Sequence, residues 1–298
     1  MFLSLLFVTT GFSQAPKELQ LMEEYIVPAI EISGMAWRTN PESMDRELIL
    51  VSDRDYALYV VDWKNRKPQF RVKKIDLIQF KTETDGEQSE WESVFSDESG
   101  RVYIVKENPG SVLILSKDLS KVEHRVSIDR LLSTDKKNSG SEGLFPLKNG
   151  HFIVVNEKDP LEIIEFGPSD EKSQGYTSSL NIESRGQFPM GKIKDRYSAL
   201  HLWTPDSGTL DSLKDSSGIN VDSEGRIYLL SDEERKIALL GNELPSAKNT
   251  FSATKYWTLP KKLKNPEGMV IDTNNQPIIA IDNKKSDKPN LFLLSPLN

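Results

Sequence analysis

A short phrase recurs five times along the chain, and that repeat restricts the available folds more than any other feature of the sequence. Each copy sets a small or acidic residue before a glycine or serine and runs into a short apolar stretch. The chain then turns and returns as a second apolar stretch ending in an acid. The clearest copy reads Ser141-Glu142-Gly143-Leu144-Phe145, turns at Lys148-Asn149-Gly150 and returns as His151 to Glu157. The others open at Ile32-Ser33-Gly34-Met35, Trp91-Glu92-Ser93-Val94, Ser216-Ser217-Gly218-Ile219 and Pro266-Glu267-Gly268-Met269, and return to Asp53, Glu107, Asp232 and Asp282. With Gly34, Ser93, Gly143, Gly218 and Gly268 as markers, the steps are about 59, 50, 75 and 50 residues. A period near 50 residues built of strands and turns predicts the blades of a β-propeller, all-β and closed on itself.

The turns support this independently. Asp97-Glu98-Ser99-Gly100 and Asp222-Ser223-Glu224-Gly225 place turn-forming acids and a permissive glycine between apolar runs, as hairpins require. Third strands follow at Ala57–Val61, Ser111–Leu115, Leu161–Glu165, Lys236–Leu240 and Asn290–Leu294. The fourth strand of each blade is the weakest signal, as an outer edge that meets water should be. Glu24-Tyr25-Ile26-Val27, ahead of the first repeat, is the natural strand to close the ring. Five blades are expected, with an insertion around Gly167 to Gly208. A degenerate sixth would have to start near Tyr197-Ser198-Ala199-Leu200, too close to the next marker to hold a blade.

Because repeats cover nearly all 298 residues, one closed domain over residues 14–298 is expected rather than two. The net charge of −7 is spread among intermixed acids and bases, which leaves no basic stripe for nucleic acid. Phe2 to Val8 is a short apolar run followed by Gly11 and Ser13, which reads as a secretory signal over residues 1–13 cleaved before Gln14. Export to the periplasm or outside the cell follows as an expectation, with no transmembrane segment in the mature chain and a monomeric state. The sequence has no cysteine, which excludes disulfides, a thiolate nucleophile, a lipid anchor on cysteine and thiolate-bound metal.

Hairpin geometry places the acids. In an antiparallel pair, the start of the first strand and the end of the second lie at the same edge. Glu92, Glu142 and Glu267 at strand starts should therefore share one propeller face with Asp53, Glu107, Glu157, Asp232 and Asp282 at strand ends. Two carboxylates about 8 Å apart at an effective dielectric of 20 repel by about 2 kcal/mol, so a ring of them needs compensation. One solution is a bound divalent cation, Ca²⁺ before Mg²⁺, held by Glu92, Glu142, Glu267, Glu157, Glu107 and Asp232. The other is a set of solvated ion pairs with Lys106, Lys158, Arg54 and Arg235.

Other chemistries find no support. Of the histidines His124, His151 and His201, His151 reads as a packed or edge residue rather than a ligand. No nucleophile elbow, P-loop, dinucleotide fingerprint or HExxH motif occurs. Asp272-Thr273-Asn274-Asn275-Gln276 opens like an EF-hand loop, but Pro277 stands where glycine belongs, so it reads as a hairpin turn. The five tryptophans read as blade packing, with Trp91 a further candidate to line a cavity.

Residues 141–166, 215–240 and 266–283 resemble the SdiA-regulated, or YjiK-type, family of exported β-propellers, and the resemblance runs from about Ile32 to Leu294. Its most specific element is Glu142-Gly143 followed by Asn156-Glu157-Lys158-Asp159-Pro160; Ser141 and Asn156 depart from the family's Phe and Lys. The resemblance implies a calcium-type cation site and no defined reaction. Pro266 to Asp272 also resembles a blade start of the gluconolactonase and regucalcin family, in which residues before such glycines hold one divalent cation; shared architecture does not carry function with it. Two functions stay open. The first is a calcium-binding propeller that recognises a small molecule or protein partner. The second is a metal-dependent hydrolase of lactones or phosphoesters, with Glu157 or Asp232 as base and no catalytic residue assigned.

Overall fold

The computed structural model describes residues 16–63, 72–129, 140–182, 187–285 and 287–298. The expected export signal, residues 1–13, lies outside the described residues. The strands assemble into five blades, each with four strands in an antiparallel meander from the axis outward, and Lys17–Glu18 adds a short parallel fifth strand to the outer edge of blade 4. Blade 1 comprises Ile32–Thr39, Arg46–Ser52, Ala57–Val61 and Val72–Asp76; blade 2, Trp91–Ser96, Val102–Lys106, Ser111–Leu115 and Val122–Asp129. Blade 3 comprises Ser141–Pro146, Phe152–Asn156, Glu162–Gly167 and Arg196–Pro205; blade 4, Gly218–Val221, Ile227–Ser231, Lys236–Gly241 and Lys255–Thr258. Blade 5 takes Pro266–Ile271, Pro277–Ile281 and Leu291–Leu294 and is completed by Leu21–Tyr25, so the expected closing segment does close the ring.

The long third step resolves without a sixth blade among the described residues. Tyr197 to Leu202, weighed above as a blade start, lies in the outermost strand of blade 3, where Ser198 to Leu202 pair with Gly167 to Ile164. The inserted residues precede it. The same strand pairs in parallel with the outermost strand of blade 2, through Ser127–Arg196 and Asp129–Ser198, and fuses the two blades into one sheet.

The marker glycines have a packing reason. A Cβ on Gly34 would stand 2.7 Å from Ser93 Cα in blade 2, and one on Gly143 would stand 2.7 Å from Ile219 N in blade 4. Near the axis the innermost strands approach too closely for a side chain. Further out, apolar faces of adjacent blades pack together, as where Phe188 of the blade 3 insertion stacks on Phe152 at 5.1 Å and meets Tyr103 of blade 2 at 5.8 Å. Hydrogen bonds cross the seams: Ser217 Oγ donates to Pro266 O at 2.6 Å, Ser33 Oγ to Trp91 O, and Glu90 N to Asp53 O at 2.8 Å. The chain-closing seam is bound by the buried Asn290 amide, whose Nδ2 donates to Val27 O and Ala29 O and whose Oδ1 accepts from Val27 N. The hairpin turns form as expected, with Gly100 and Gly225 in the left-handed region at φ +83° and +78°; in blade 5 Asn275 takes that role at +60°.

Candidate functional site

At four of the five blade starts the strand register slips by one residue: between Ile32 and Gly34, Trp91 and Ser93, Ser141 and Gly143, and Pro266 and Gly268. Each slip is a β-bulge, and a bulge leaves one residue out of the ladder and re-aims its side chain. The residues left out are Ser33, Glu92, Glu142 and Glu267. In blade 4 Ser217 stands at the same place, just before Gly218. All five line one cavity on the propeller axis, of about 250 Å³. The recurring plan of the repeat thus has a mechanical content: the glycine admits the neighbouring strand, and the residue before it turns into the axis.

A second tier surrounds this inner ring. Asp53, Glu107, Glu157, Asp232 and Asp282, at the ends of the second strands, line the same cavity. Four of them are set by the backbone ahead of the first strand: Asp53 N donates to Glu31 O, Glu107 N to Glu90 O, Glu157 N to Gly140 O and Asp282 N to Asn265 O, at 2.8–3.3 Å. Glu31, Glu90 and Asn265 hold left-handed backbone at φ near +50°, which turns those carbonyls inward. Gly140 leaves room for the Glu107 carboxylate, since a Cβ there would stand 2.3 Å from Oε1.

All six carboxylates expected at a metal site, Glu92, Glu142, Glu267, Glu157, Glu107 and Asp232, therefore face one cavity, together with Asp53, Asp282 and Glu31. Among the described residues, no three such groups already stand at the spacing of a coordination shell. Glu31 was not a candidate from the sequence. It lies just ahead of the repeated phrase, and its role comes from a backbone turn that the phrase does not contain. Ser33 and Ser217 carried a usable signal, because the repeats align them with the three glutamates.

The carboxyl groups respond to one another. Burial, reinforced by Glu107, Asp53, Glu90 and Glu157, pushes Glu92 up to about 8. Glu142 is raised well above the carboxylate range by burial and then by Glu92, Glu267, Glu157 and Glu107. Glu267 is raised likewise, by burial and then Asp232, Asp282, Glu92 and Glu157. Asp53 rises to about 6 through burial, Glu31 and Asp282, against the opposing pull of Arg54 and Lys284. Both Asp53 and Asp282 keep one buried carboxylate oxygen without a hydrogen bond.

Ion pairs form at the rim, not on the inner ring. Lys158 Nζ lies 3.0 Å from Glu157 and 3.0 Å from Glu233 of blade 4, and Arg54 Nε lies 3.0 Å from Glu31. Lys106 turns away from the cavity into a buried pair with Asp85 at 3.0 Å. Among the described residues no lysine or arginine pairs with Glu92, Glu142 or Glu267. Trp91 does not line the cavity; it packs edge-on against Tyr56 at 5.6 Å.

His151 is packed, as expected, and it sits between two carboxylates. Its Nδ1 lies 2.6 Å from Glu165 Oε1 and its Nε2 3.0 Å from Glu171 Oε2. With a carboxylate on each ring nitrogen, the protonated ring can donate to both, which favours the imidazolium. Burial opposes its charge, and the two glutamates outweigh burial to raise His151 above its ordinary value.

Residues 88–293 match the profile of the SdiA-regulated family. The chain belongs to that family. The matched span carries Glu92, Glu142 and Glu267, all three inner-ring glutamates. A search of curated proteins found no match. Among solved structures, the glutaminyl cyclase of Myxococcus xanthus is similar with a TM-score of 0.52 at 10% identity, over 94% of this chain and 98% of that one. The PQQ-bound aldose sugar dehydrogenase of Streptomyces coelicolor is similar with a TM-score of 0.48 at 10% identity, over 94% of this chain and 99% of that one. At 10% identity the likeness to the cyclase is one of fold.

Proposed function

We propose that this SdiA-regulated propeller is an exported calcium-binding module that presents the ion, in its acidic axial mouth, to a small molecule or protein partner. The observation that carries the reading is the inner ring. Three glutamates from three blades turn into one cavity, burial and mutual repulsion raise all three, and no basic side chain among the described residues pairs with them. A hard cation supplies the missing charge. The donors are all oxygens, and the rings are wide and irregular, which suits the flexible shell of Ca²⁺, completed by water, better than the rigid octahedron of Mg²⁺. Glu92, Glu142 and Glu267 would hold the ion, with Glu107, Glu157 and Asp232 above them. Among the described residues no helix is long and apolar enough to cross a membrane.

Calorimetry with calcium and with chelator tests the reading. A ligand that binds only the folded state stabilises it by about 2.7 kcal/mol at a hundredfold excess over Kd, so calcium is expected to raise the melting temperature. Equal transitions in both conditions would remove the ion site. Mass spectrometry of the exported fraction is expected to find a chain beginning near Gln14.

One observation favours hydrolysis as the second reading: Asp232, at the cavity rim, is raised by burial and by Asp215 and Glu233, as suits a carboxylate that exchanges protons. Turnover of lactones or phosphoesters with calcium or magnesium, abolished in Asp232→Asn while calcium still binds, would establish it.

A further inference from the structure

The acidic mouth shares its face with a basic corner. Residues 259–265, Leu-Pro-Lys-Lys-Leu-Lys-Asn, lead into blade 5, and residues 283–290 link the second strand of that blade to its third. In the sequence their two groups of three lysines stand about twenty positions apart. The fold makes them neighbours. Asp282 N donates to Asn265 O at 2.8 Å and Ile281 N to Asn290 O at 3.1 Å, which holds both loops at the same end of the blade 5 strands. Residues 24–27 join them, since Lys262 Nζ reaches Glu24 and Asn290 N donates to Tyr25 O at 3.0 Å.

Buried residues fix the backbone of this corner and leave its lysines outside. Leu263 has no solvent exposure and packs in the core between blades 4 and 5, and Asn290 is buried against Val27 and Ala29. Around these anchors Lys261, Lys262, Lys264, Lys284, Lys285 and Lys288 are all exposed. Two are engaged: Lys262 with Glu24, and Lys284 with Glu31 at 3.7 Å. The other four make no ion pair among the described residues. Within the three segments the six lysines stand against two acids, Glu24 and Asp287, in a chain whose net charge is −7. Asp282 and Glu31 turn into the mouth, and none of the six lysines lines it.

The form of this corner selects its partner. A discrete anion is held by converging donors, most often an arginine fork. Here the charges are lysines on flexible stems, carried by two loops, and none lines either axial cavity. Such an array matches charge that is itself spread over a surface. Ile26 lies between Tyr25 and Val27, both bonded to Asn290, and is one of the few large apolar side chains open to solvent, at 36%. An apolar side chain beside basic ones suits the headgroup layer of a bilayer. We propose that the blade 5 corner docks the propeller onto an anionic lipid surface, with Lys261, Lys264, Lys285 and Lys288 over the headgroups and Ile26 among them. This contact needs no ion in the acidic mouth and stands apart from the calcium reading.

Co-sedimentation with lipid vesicles in excess chelator tests the proposal. The protein is expected to sediment with vesicles of mixed phosphatidylcholine and phosphatidylglycerol and not with phosphatidylcholine alone. About 1 M salt, where the Debye length falls to about 3 Å, should release it. Each lysine near an anionic surface raises affinity about fivefold, so Lys264→Gln should weaken binding by that factor. Replacing Lys261, Lys264, Lys285 and Lys288 together by Gln should weaken it by at least about a hundredfold, with an unchanged melting transition because all four side chains are exposed. Ile26→Ser is expected to weaken it severalfold. The proposal is refuted if mixed vesicles bind no better than neutral ones, or if the fourfold variant sediments like the parent. Capture of soluble polyglutamate with no vesicle binding would overturn it in favour of an acidic protein partner. Sedimentation that requires calcium and is lost in Glu142→Gln would overturn it too, placing the lipid on the ion and leaving the calcium reading intact.

Discussion

The glutamates at the axis and the one paired with His151 behave in opposite ways. At the axis, Glu92, Glu142 and Glu267 are all held above the ordinary carboxylate range. In the third strand of blade 3, Glu165 has no solvent exposure at all and is held below it. Burial pushes both sets upward; the difference lies in what surrounds them. Glu165 accepts from the His151 imidazolium, from Ser173 Oγ and from the backbone N–H groups of Gln174 and Gly175. The axial glutamates face further carboxylates. The comparison separates a charge the fold has compensated from one it leaves for a ligand, and burial alone does not distinguish the two.

The largest test removes a charge from each set. Glu165→Gln is expected to destabilise the protein by about 3 kcal/mol, because it leaves a buried imidazolium with only the partly exposed Glu171. Glu142→Gln in chelator is expected to cost nothing or to stabilise slightly, since it relieves repulsion. Chemical denaturation measures both, and a comparable loss in Glu142→Gln would mean that the axial carboxylates are compensated in some way the ring geometry does not contain.

Calcium affinity should respond in the reverse sense. Glu142→Gln and Glu267→Gln each remove a charged oxygen donor from the inner ring, and calcium is expected to bind roughly tenfold more weakly to each by titration calorimetry. Glu165→Gln should leave the affinity unaltered. If both ring variants bind like the parent, the cation sits elsewhere.

The pH dependence sharpens the contrast. Glu92 titrates near 4.5 when unfolded and at about 8 when folded. The folded state therefore holds the proton more tightly, and in chelator stability should fall as pH rises from about 4.5 to about 8, then level off. His151 is raised above 6.5, so its contribution is complete below that value and is lost as pH rises through the folded-state value. Both slopes have the same sign, and two changes tell them apart. Saturating calcium, which favours the ionised ring, should flatten the first slope, whereas His151→Gln should remove the second. Melting curves across this range read both, and a calcium-insensitive slope in His151→Gln would break the assignment.

The smallest effect concerns the uncharged members of the inner ring. Ser217→Ala removes the hydroxyl bond to Pro266 O across the blade 4–5 seam and should cost about 1 kcal/mol, with calcium affinity preserved. A large loss of affinity would instead make Ser217 an ion ligand.

How far this was legible in the sequence follows from where each residue gets its position. Glu92, Glu142 and Glu267 could be read because the bulge recurs at the same place in the repeat, and the strand-end acids because a hairpin returns its end beside its start. Glu31 could not, since its orientation depends on a left-handed turn outside the repeat. His151 reads as ordinary packing along the chain. Its charge is set by Glu165, fourteen positions on, and by Glu171 in the insertion, which only the blade brings beside it.

The seam between residues 21–25 and 291–294 also governs the order in which the molecule can be made. Val27 and Asn290 are 263 positions apart, yet their hydrogen bonds bind the ring shut. Contacts that distant come late, because the entropy of closing so long a loop must be met before they form. A ribosome that has released the first four blades therefore holds an open circle, with the edge of Leu21–Tyr25 waiting for a strand not yet synthesised. A chain of this design becomes a closed ring only when its last strand arrives, so the four earlier blades depend for closure on the final residues to be made.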